Sequence, residues 1–297
     1  MPTVTVLTPT YNRAELLKNL YESLMRQTSY DFIWMIVDDG SSDHTNEVVR
    51  NFIAQAAFET CYLHKENGGK HTAINVGIAE VKTPLTVIVD SDDILLPNGI
   101  ETILQYQLKY EGHPGLCGFS FLKVTDRGEP LLSLPKKEFV ESHIKCRIKR
   151  RLNGDMAEVF YSDILKKYPF PEFSGEKFLS EDIVWISMGE KYQLVFVNQP
   201  IYQCEYLEKG LTQNDKRLKF ASPYGSMLRG KKLMISRCGW VSWIRGAIIY
   251  DCYNQEIKKC SVLPEILQLH GLRCRGFALF MKPAGCFFNR HWKKSIC

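Results

Sequence analysis

Residues 3–110 alternate between short apolar runs and segments with helix-forming patterns, and this alternation constrains the fold more than any other feature. The apolar runs are rich in β-branched residues, as expected of strands that are buried on both faces. They span residues 3–8, 32–37, 61–64 and 85–89. Strands that alternate with helices form a mostly parallel sheet with helices on both faces. The sequence therefore predicts an α/β, Rossmann-like fold for this part of the chain.

All four predicted strands end in loops that are polar, acidic or rich in glycine, and the fourth loop is the most distinctive. The run 85–89 is followed by Asp90, Asp92 and Asp93. Ligands of open α/β sheets bind where the carboxyl ends of the strands meet. Carboxylates this close repel one another unless a cation neutralises them, and hard oxygen ligands suit Mg²⁺ or Mn²⁺. The alternative interpretation, a polar turn that caps the helix after Pro97, stays open from this stretch alone.

Composition and charge place the chain among ordinary globular proteins, with 45% hydrophobic residues, 24% charged residues and a net charge of +5. No apolar run approaches the ~20 residues that span a bilayer. The N-terminus has no basic signal-peptide region, so we expect the chain to stay on the side of the membrane where it is made. The ten cysteines contain no Cys-x-x-Cys pair. We expect them to be reduced thiols that serve packing.

The regular alternation ends after Gly112. We predict a strand over residues 117–125, an irregular charged segment over 136–151, and a closing pair of strands over 194–197 and 202–206. Beyond these strands the pattern is mostly helical. The sequence therefore predicts three segments, namely residues 1–111, 112–215 and 216–297.

Five short motifs stand out, and each of them is weak by itself. They are TPTYNR at 8–13, VDDGSSD at 37–43, NGG at 67–69 with Ala73, Asn75 and Gly77, VDSDD at 89–93, and Glu-Asp at 181–182. As an ordered set at this spacing they resemble the inverting glycosyltransferases of family 2, which have the GT-A fold. The resemblance implies a nucleotide-sugar-binding half over 1–111, an acceptor-binding half over 112–215 and a helical C-terminal extension.

The resemblance implies a donor site built from the first four motifs. Asp39 would accept a hydrogen bond from the imide N–H of a uracil-like base, a role that suits a carboxylate. Asp92 would bind Mn²⁺ or Mg²⁺, Asp90 would reach the ribose or the metal, and Asp93 would be structural. The other residues implied to line the nucleotide are Thr8, Pro9, Tyr11, Asn67, Gly69, Lys70 and Ser91. For Asp39 a turn role, for Tyr11 an ordinary loop position and for Lys70 a solvated position remain alternatives.

The chain departs from the family pattern in the third motif. Many relatives carry arginine before the asparagine of an Ala-Arg-Asn sequence, whereas this chain has Ile74. A cationic contact to the phosphates is therefore missing or has moved to Lys70 or His71. For His71 a loop position without a role is the simpler interpretation.

The last motif implies the catalytic base. Asp182 would take the proton of the attacking acceptor hydroxyl, and Glu181 would support the acceptor. We also predict Ser180 as the N-cap, which places both acids in a first helical turn, where they are stabilising whatever the function. The chain lacks the Gln-x-x-Arg-Trp motif of processive members, which implies transfer of a single sugar. Residues 210–212 resemble the segment that closes the site in non-processive relatives.

The C-terminal segment 216–297 interleaves basic and aromatic residues. It fits contact with an anionic membrane surface, or a helical bundle with a solvated basic face that packs on the core. No nucleic-acid-binding module accompanies it. We expect a cytoplasmic transferase, peripheral on the inner membrane face, that uses a nucleotide sugar (UDP is favoured) and a saccharide acceptor, lipid-linked, for a surface polysaccharide. The alternatives are a sugar nucleotidyltransferase and a non-catalytic nucleotide- or glycan-binding scaffold.

Overall fold

The computed structural model describes residues 2–204, 215–257 and 263–294. Contacts group the chain into two compact units. The first comprises Met1–Ser142, Leu152–Pro169 and Tyr192–Tyr206, and the second comprises His143–Arg151, Phe170–Lys191 and Leu207–Cys297. The closing segment predicted at 210–212 lies outside the described residues. The three-segment division of the sequence stays a prediction.

Within the described residues, nine strands form one sheet in the first unit. In chain order they are β1 (Val4–Thr10), β2 (Phe32–Asp38), β3 (Glu59–His64), β4 (Leu85–Ile88), β5 (Ile94–Leu95), β6 (Leu116–Val124), β7 (Glu138–Glu141), β8 (Met156–Tyr161) and β9 (Gln193–Gln203). Their order across the sheet is β3-β2-β1-β4-β8-β6-β9-β5, and β7 pairs with β9. Strands β1 to β4 are parallel, as predicted. Strand β8 runs antiparallel to β4 and to β6.

Helices of the first unit connect these strands. They are α1 (Ala14–Met25), α2 (Thr45–Gln55), α3 (Lys70–Glu80), α4 (Gly99–Lys109) and α5 (Ser162–Leu165). Aromatic residues join α1 and α2 to the sheet, since Tyr21 stacks on Phe52 with ring centroids 4.3 Å apart and Trp34 of β2 is fully buried beside them. Helix α3 lies so close to β1 that a Cβ on Gly77 would come within 2.3 Å of Leu7 Cδ1. This close approach explains why residue 77 of α3 is glycine.

Two predictions for the later part of the sheet are wrong. The predicted closing pair is one strand, β9, which pairs with β6 along its length and whose register shifts around Pro200. Proline has no N–H to donate to a ladder, so an irregularity at this residue lets the strand continue. The predicted irregular segment 136–151 contains β7 and a π-helix, Ile144–Lys149.

The described part of the second unit is mostly helical, as predicted for the C-terminal region. Its α-helices are α6 (Asp182–Met188), α7 (Asp215–Ala221), α8 (Pro223–Ile235), α9 (Trp240–Asn254) and α10 (Leu272–Lys294). Helices α8 and α9 pack at two glycines, because a Cβ on Gly230 would lie 2.7 Å from the carbonyl oxygen of Gly246. Larger residues would separate these two helices.

The cysteines that the structure describes are all free thiols, as expected. Five of them are buried, namely Cys117, Cys146, Cys204, Cys238 and Cys252. Burial raises the pKa of Cys117 and of Cys252 to about 12, which makes these thiols unreactive packing groups. In the described ranges, no helix combines the length and the apolar character needed to cross a membrane.

Candidate functional site

The first candidate site lies at the carboxyl end of the parallel strands. Strand β1 is flanked by β2 and β4, so the loops that follow these three strands converge. The loop after β4 carries the predicted acids, and one ligand oxygen from each of Asp90, Asp92 and Asp93 lies within 4.8 Å of the others. We call residues 90–93 the acidic loop. The structure thus brings together the carboxylates that the sequence placed in one motif.

Cationic side chains from other elements face the acidic loop. Arg13, at the start of α1, places Nη1 2.6 Å from Oδ1 of Asp92. Lys70, the first residue of α3, places Nζ 2.6 Å from Oδ1 of Asp90. Burial by itself would raise the pKa of Asp90, but Lys70, Lys123 and Arg13 outweigh it and hold this pKa below its usual value. Asp90 is therefore ionised at neutral pH and available as an oxygen ligand.

A buried tyrosine of β9 holds the two ends of the acidic loop. The hydroxyl of Tyr202 donates a hydrogen bond to Oδ2 of Asp93 at 2.9 Å and accepts one from the backbone N–H of Asp90, also at 2.9 Å. The ammonium group of Lys123 lies over the ring of Tyr202, 4.0 Å from its centroid. Burial raises the pKa of Tyr202, and the nearby charges of Asp90 and Asp93 raise it further. The hydroxyl therefore stays protonated and keeps its donor role.

The donor set of the acidic loop fits a hard divalent cation. It consists of carboxylate oxygens, which Mg²⁺ and Mn²⁺ prefer. Asp93 is buried and engaged by Tyr202, whereas Asp90 and Asp92 are partly exposed and face Lys70 and Arg13. Asp90 and Asp92 thus have the more accessible carboxylates, and their assignment as metal ligands stays a prediction.

Asp39 is the centre of a second cluster, after β2. It is buried, and its Oδ1 accepts hydrogen bonds from Nζ of Lys65 at 2.8 Å and from the N–H of Gly68 at 2.9 Å. Its Oδ2 accepts from Nδ2 of Asn67 at 3.0 Å and from the N–H of Gly69 at 2.7 Å. A carboxylate accepts about four hydrogen bonds, so these donors fill its capacity. Asp39 thereby fixes the glycine loop that leads into α3.

Four other residues predicted to line the nucleotide differ in how exposed they are. Thr8 is buried, and its hydroxyl accepts a hydrogen bond from Nε1 of Trp34 at 3.0 Å. Pro9 lies in the buried end of β1, whereas Tyr11 in the next loop is 46% exposed. Ser91 is buried within the acidic loop. The exposed ring of Tyr11 is thus the one of these four that is open to stack on a ligand.

The second candidate site lies in the other unit, around Asp182 at the start of α6. Arg229 of α8 donates through Nε to Oδ2 of Asp182 at 2.8 Å, and its Nη2 lies 2.7 Å from the same oxygen. Nε also lies 3.0 Å from Oδ1, which accepts a hydrogen bond from Oγ of Ser180 at 2.8 Å. Burial would raise the pKa of Asp182, but Arg229 outweighs it and lowers that pKa. Asp182 is therefore a persistent carboxylate.

The residues around Asp182 show that the predicted N-cap of α6 is wrong, and the same unit contains a neutral histidine. The prediction of Ser180 as the N-cap is wrong, because Glu181 directly precedes α6 and the Ser180 hydroxyl bonds Asp182 instead. His143 is buried in the same unit, and burial, helped by Arg147, lowers its pKa to about 4. At neutral pH His143 is therefore uncharged and does not balance the negative charge of Asp182. The ion pair with Arg229 balances this charge.

Comparison with known proteins finds a family similarity within the first unit. Residues 5–126 match the sequence profile described as Glycosyl transferase family 2. These residues form a glycosyltransferase family 2 domain. The match contains β1 to β6 and the acidic loop, and it confirms the resemblance for the first four of the five motifs.

Curated relatives of the family 2 domain are glycosyltransferases of bacteria. Glycosyltransferase GlyG of Streptococcus pneumoniae is 39% identical over 103 residues, which are 34% of this chain and 34% of that protein. An uncharacterized glycosyltransferase of Rickettsia prowazekii is 30% identical over 123 residues, 41% of this chain and 37% of that protein. The matched part of the chain thus spans about a third of the length of these relatives.

Solved structures share the fold beyond the family 2 domain. TarS of S. aureus matches with a TM-score of 0.62 at 15% identity, over 97% of this chain and 54% of that one. The mannosyltransferase PcManGT of Pyrobaculum calidifontis matches with a TM-score of 0.55 at 15% identity, over 99% and 83%. At this identity the likeness shows the fold, and it confirms the predicted GT-A fold with a helical C-terminal part.

Sequence reasoning missed several residues that complete the two candidate sites. Lys65, Lys123 and Tyr202 contact the clusters of the family 2 domain, and Arg229 contacts Asp182. Only Lys65 lies within a motif loop, just before Asn67. Tyr202 lies 109 residues from Asp93, and Arg229 lies 47 residues from Asp182. No local pattern marks contacts of this range.

Proposed function

We propose that the protein is an inverting, metal-dependent glycosyltransferase that moves one sugar from a nucleotide donor to a saccharide acceptor. The observation that carries this proposal is the acidic loop, whose three carboxylates converge within 4.8 Å beside Arg13 and Lys70. A cluster of acids can meet the negative charge of a diphosphate only through cations. Both kinds of cation, a metal and basic side chains, have a place here.

Asp92 and Asp90 are the proposed ligands of Mn²⁺ or Mg²⁺. A bound divalent ion acts as a Lewis acid that offsets charge on the departing nucleoside diphosphate. Arg13 and Lys70 now offset the charge of these acids, and a metal at Asp90 and Asp92 would leave both side chains available to the phosphates. Lys70 begins α3, and a helix N-terminus favours anions. Lys70 can therefore supply the cationic phosphate contact that Ile74, which stands where many relatives carry arginine, cannot make.

The nucleotide is proposed to lie between Tyr11 and the Asp39 cluster, with Thr8 and Pro9 behind it. The other proposed contacts come from Asn67, Gly69 and Ser91. Asp39 favours a uracil base, because an imide N–H is a good donor to a carboxylate. Lys65, the longer of the two side chains among the four donors to Asp39, has to move to make that contact. Structures of TarS with UDP-GlcNAc and of PcManGT with GDP-Man and Mn²⁺ support a nucleotide sugar as the donor class.

Asp182 is the proposed catalytic base, with Glu181 supporting the acceptor. In an inverting transfer the acceptor hydroxyl attacks the anomeric carbon opposite the leaving group, and a carboxylate takes its proton. Arg229 and Ser180 hold Asp182 ionised and in one orientation. This arrangement keeps the proposed base deprotonated at neutral pH, and the same contacts with Arg229 lower its basicity.

The acceptor is proposed to be a lipid-linked saccharide of a surface polysaccharide, met at the inner face of the cell membrane. The basic and aromatic helices of the second unit support a peripheral contact of a cytoplasmic protein with that surface. The absence of the processive Gln-x-x-Arg-Trp motif supports the transfer of a single sugar.

The test is a calorimetric titration of UDP, GDP and dTDP into the protein, each with and without Mn²⁺. We expect UDP to bind only with the metal, because Asp92 recruits the ion, and to bind tighter than GDP, because the imide N–H of uracil suits Asp39. The imide N–H of dTDP suits Asp39 as well, so the titration decides between these two bases. Asp92→Asn should remove the metal-dependent part of UDP binding. Asp126→Asn is the matched control, because Asp126 is an exposed acid in the turn after β6.

Two results would contradict the proposal. Equal UDP binding by the Asp92→Asn variant in Mn²⁺ would remove the metal assignment. No binding of any of the three nucleotides would favour the non-catalytic scaffold, because the motifs would then be present without their chemistry.

A further inference from the structure

The charged residues of helix α10 are all basic. Its 23 residues contain no Asp or Glu. Its basic residues are Arg273, Arg275, Lys282, Arg290, Lys293 and Lys294. A helix of this composition attracts an anionic surface and repels a cationic one.

One face of α10 is occupied by α9. Gly285 lies so close to α9 that a Cβ on it would come within 2.6 Å of Cβ of Asp251. Asn289 is buried and donates through Nδ2 to the carbonyl oxygen of Cys252 at 2.8 Å and to Oε1 of Glu256 at 2.6 Å. Lys293 pairs with Oε2 of Glu256 at 2.7 Å. These contacts fix which side of α10 faces its own unit.

The opposite face carries a stripe of residues seven positions apart. Arg273, Phe280, Phe287 and Lys294 follow one another at this spacing, which brings them onto one side of a helix. All four are exposed, and Phe280 and Phe287 are exposed by 76% and 63%. Two aromatic rings thus lie in the middle, with a cation at each end. We call these four residues the outer stripe.

We propose that the outer stripe is a docking surface for an anionic lipid bilayer, with α10 lying in the plane of the interface. Phe280 and Phe287 would enter the boundary between headgroups and acyl chains, and Arg273 and Lys294 would meet lipid phosphates. The stripe spans roughly 30 Å along the helix axis, from its 21 steps of ~1.5 Å each. Positions seven apart drift by only ~20° per step around a straight helix, so the four side chains share one side of α10, with Pro283 inside the helix between the two phenylalanines.

Charge decides between a bilayer and a second copy of the chain. Two outer stripes packed against each other would bring their cations together without a compensating acid on α10, which costs energy. An anionic bilayer pairs every one of these cations. This inference rests on the membrane contact proposed above and specifies where it occurs, and it requires neither the metal nor sugar transfer.

The test is co-sedimentation of the full chain with phosphatidylcholine vesicles that contain or lack phosphatidylglycerol. We expect binding to the anionic vesicles, reduced about tenfold in partition coefficient by the double variant Phe280→Ser/Phe287→Ser. Leu108→Ser is the matched control, because Leu108 on α4 is 71% exposed and belongs to the other unit. It should leave vesicle binding unchanged.

The charged ends of the outer stripe are tested separately. Arg273→Gln/Lys294→Gln should weaken binding to anionic vesicles about tenfold, and added salt should weaken binding by the wild type. Equal binding of both double variants and the wild type would overturn the proposal. Absence of vesicle binding would also overturn the proposal. If sedimentation then showed a dimer that only the Phe280→Ser/Phe287→Ser variant dissociates, the outer stripe would serve self-association.

UDP titration of the same preparations separates this proposal from the proposed function. The variants of the outer stripe should bind UDP and Mn²⁺ as the wild type does. A wild type that binds anionic vesicles but no nucleotide would refute the transferase and support the docking surface, and the reverse result would refute only the docking surface.

Discussion

The acidic loop of the first unit and Asp182 of the second unit both pair carboxylates with cationic side chains, but they do so differently. At the acidic loop, Nη1 of Arg13 meets Oδ1 of Asp92 and Nζ of Lys70 meets Oδ1 of Asp90. Asp182 instead meets two nitrogens of Arg229 and a hydroxyl from Ser180.

Burial does not explain this difference. The side chains of the pairs at the acidic loop are 15–31% exposed, and those of Arg229 and Asp182 are 19% and 22% exposed. The number and geometry of the contacts differ instead. Arginine held through two nitrogens is bound more strongly and in one orientation, whereas a single lysine contact exchanges easily. The acidic loop therefore suits the exchange of one cation for another, whereas Asp182 is held deprotonated in one orientation.

The largest expected effect tests Asp182 as the catalytic base. Asp182→Asn keeps the shape of the side chain and removes its basicity, so transfer should fall by about a thousandfold, within the range known for general bases. UDP binding with Mn²⁺ should not change. Single-turnover rates and calorimetry measure the two quantities, and thermal unfolding checks that the second unit still folds without this ion pair.

Glu190→Gln is the control for that variant, since Glu190 is an exposed acid just after α6. It should transfer at the wild-type rate. If Asp182→Asn also transfers at the wild-type rate, the base lies elsewhere and the ion pair with Arg229 has a structural role.

A smaller effect tests exchange at the acidic loop. Lys70→Met removes a cation that competes for Asp90, so Mn²⁺ alone should bind about fivefold tighter. UDP in saturating Mn²⁺ should bind about fivefold weaker, because the phosphates lose a cationic partner. Calorimetry with each ligand measures both changes, and Lys82→Met, at an exposed position after α3, should alter neither. If the affinities for Mn²⁺ and for UDP both rose or both fell, Lys70 would not alternate between Asp90 and the phosphates.

The smallest expected effect concerns Asp251, a buried acid of the second unit for which the structure shows no ion pair with an arginine among the described residues. Oδ2 of Asp251 in α9 has no hydrogen-bond partner in the described part of the chain. Burial raises the pKa of Asp251 from 3.8 to about 6, with Lys282 opposing the rise. A raised pKa in the folded state contributes stability below the unfolded value of 3.8, and this contribution is lost as the pH rises through about 6. Asp251 thus indicates how burial would act on Asp182 without Arg229.

Asp251→Asn should therefore stabilise the protein at about pH 8 by about 1 kcal/mol and give no gain at about pH 4. Urea unfolding at the two pH values measures the difference, and Asp163→Asn at an exposed position of α5 serves as the control. An equal gain at both pH values would mean that the substitution acts through packing against Gly285, and that the charge of Asp251 has no part in it.

The sequence alone determined the parallel half of the sheet, the similarity to glycosyltransferase family 2 over residues 5–126 and the acids after β4. Apolar runs of the length of β1, β2 and β4 report burial on both faces, and the carboxyl ends of such strands meet at one edge. The helical character of the second unit also followed from local pattern. These features depend on neighbours in the chain, which periodicity records.

The tertiary structure decided what each acid contacts. Tyr202 reaches Asp93 because β9 continues past Pro200 as one strand, where the sequence predicted a closing pair. Arg229 reaches Asp182 because α8 and α6 lie in the same unit. Partners 109 and 47 residues apart are chosen by strand order and helix packing. Local periodicity carries no information about either, since it reports which face of an element is buried and not what lies against that face.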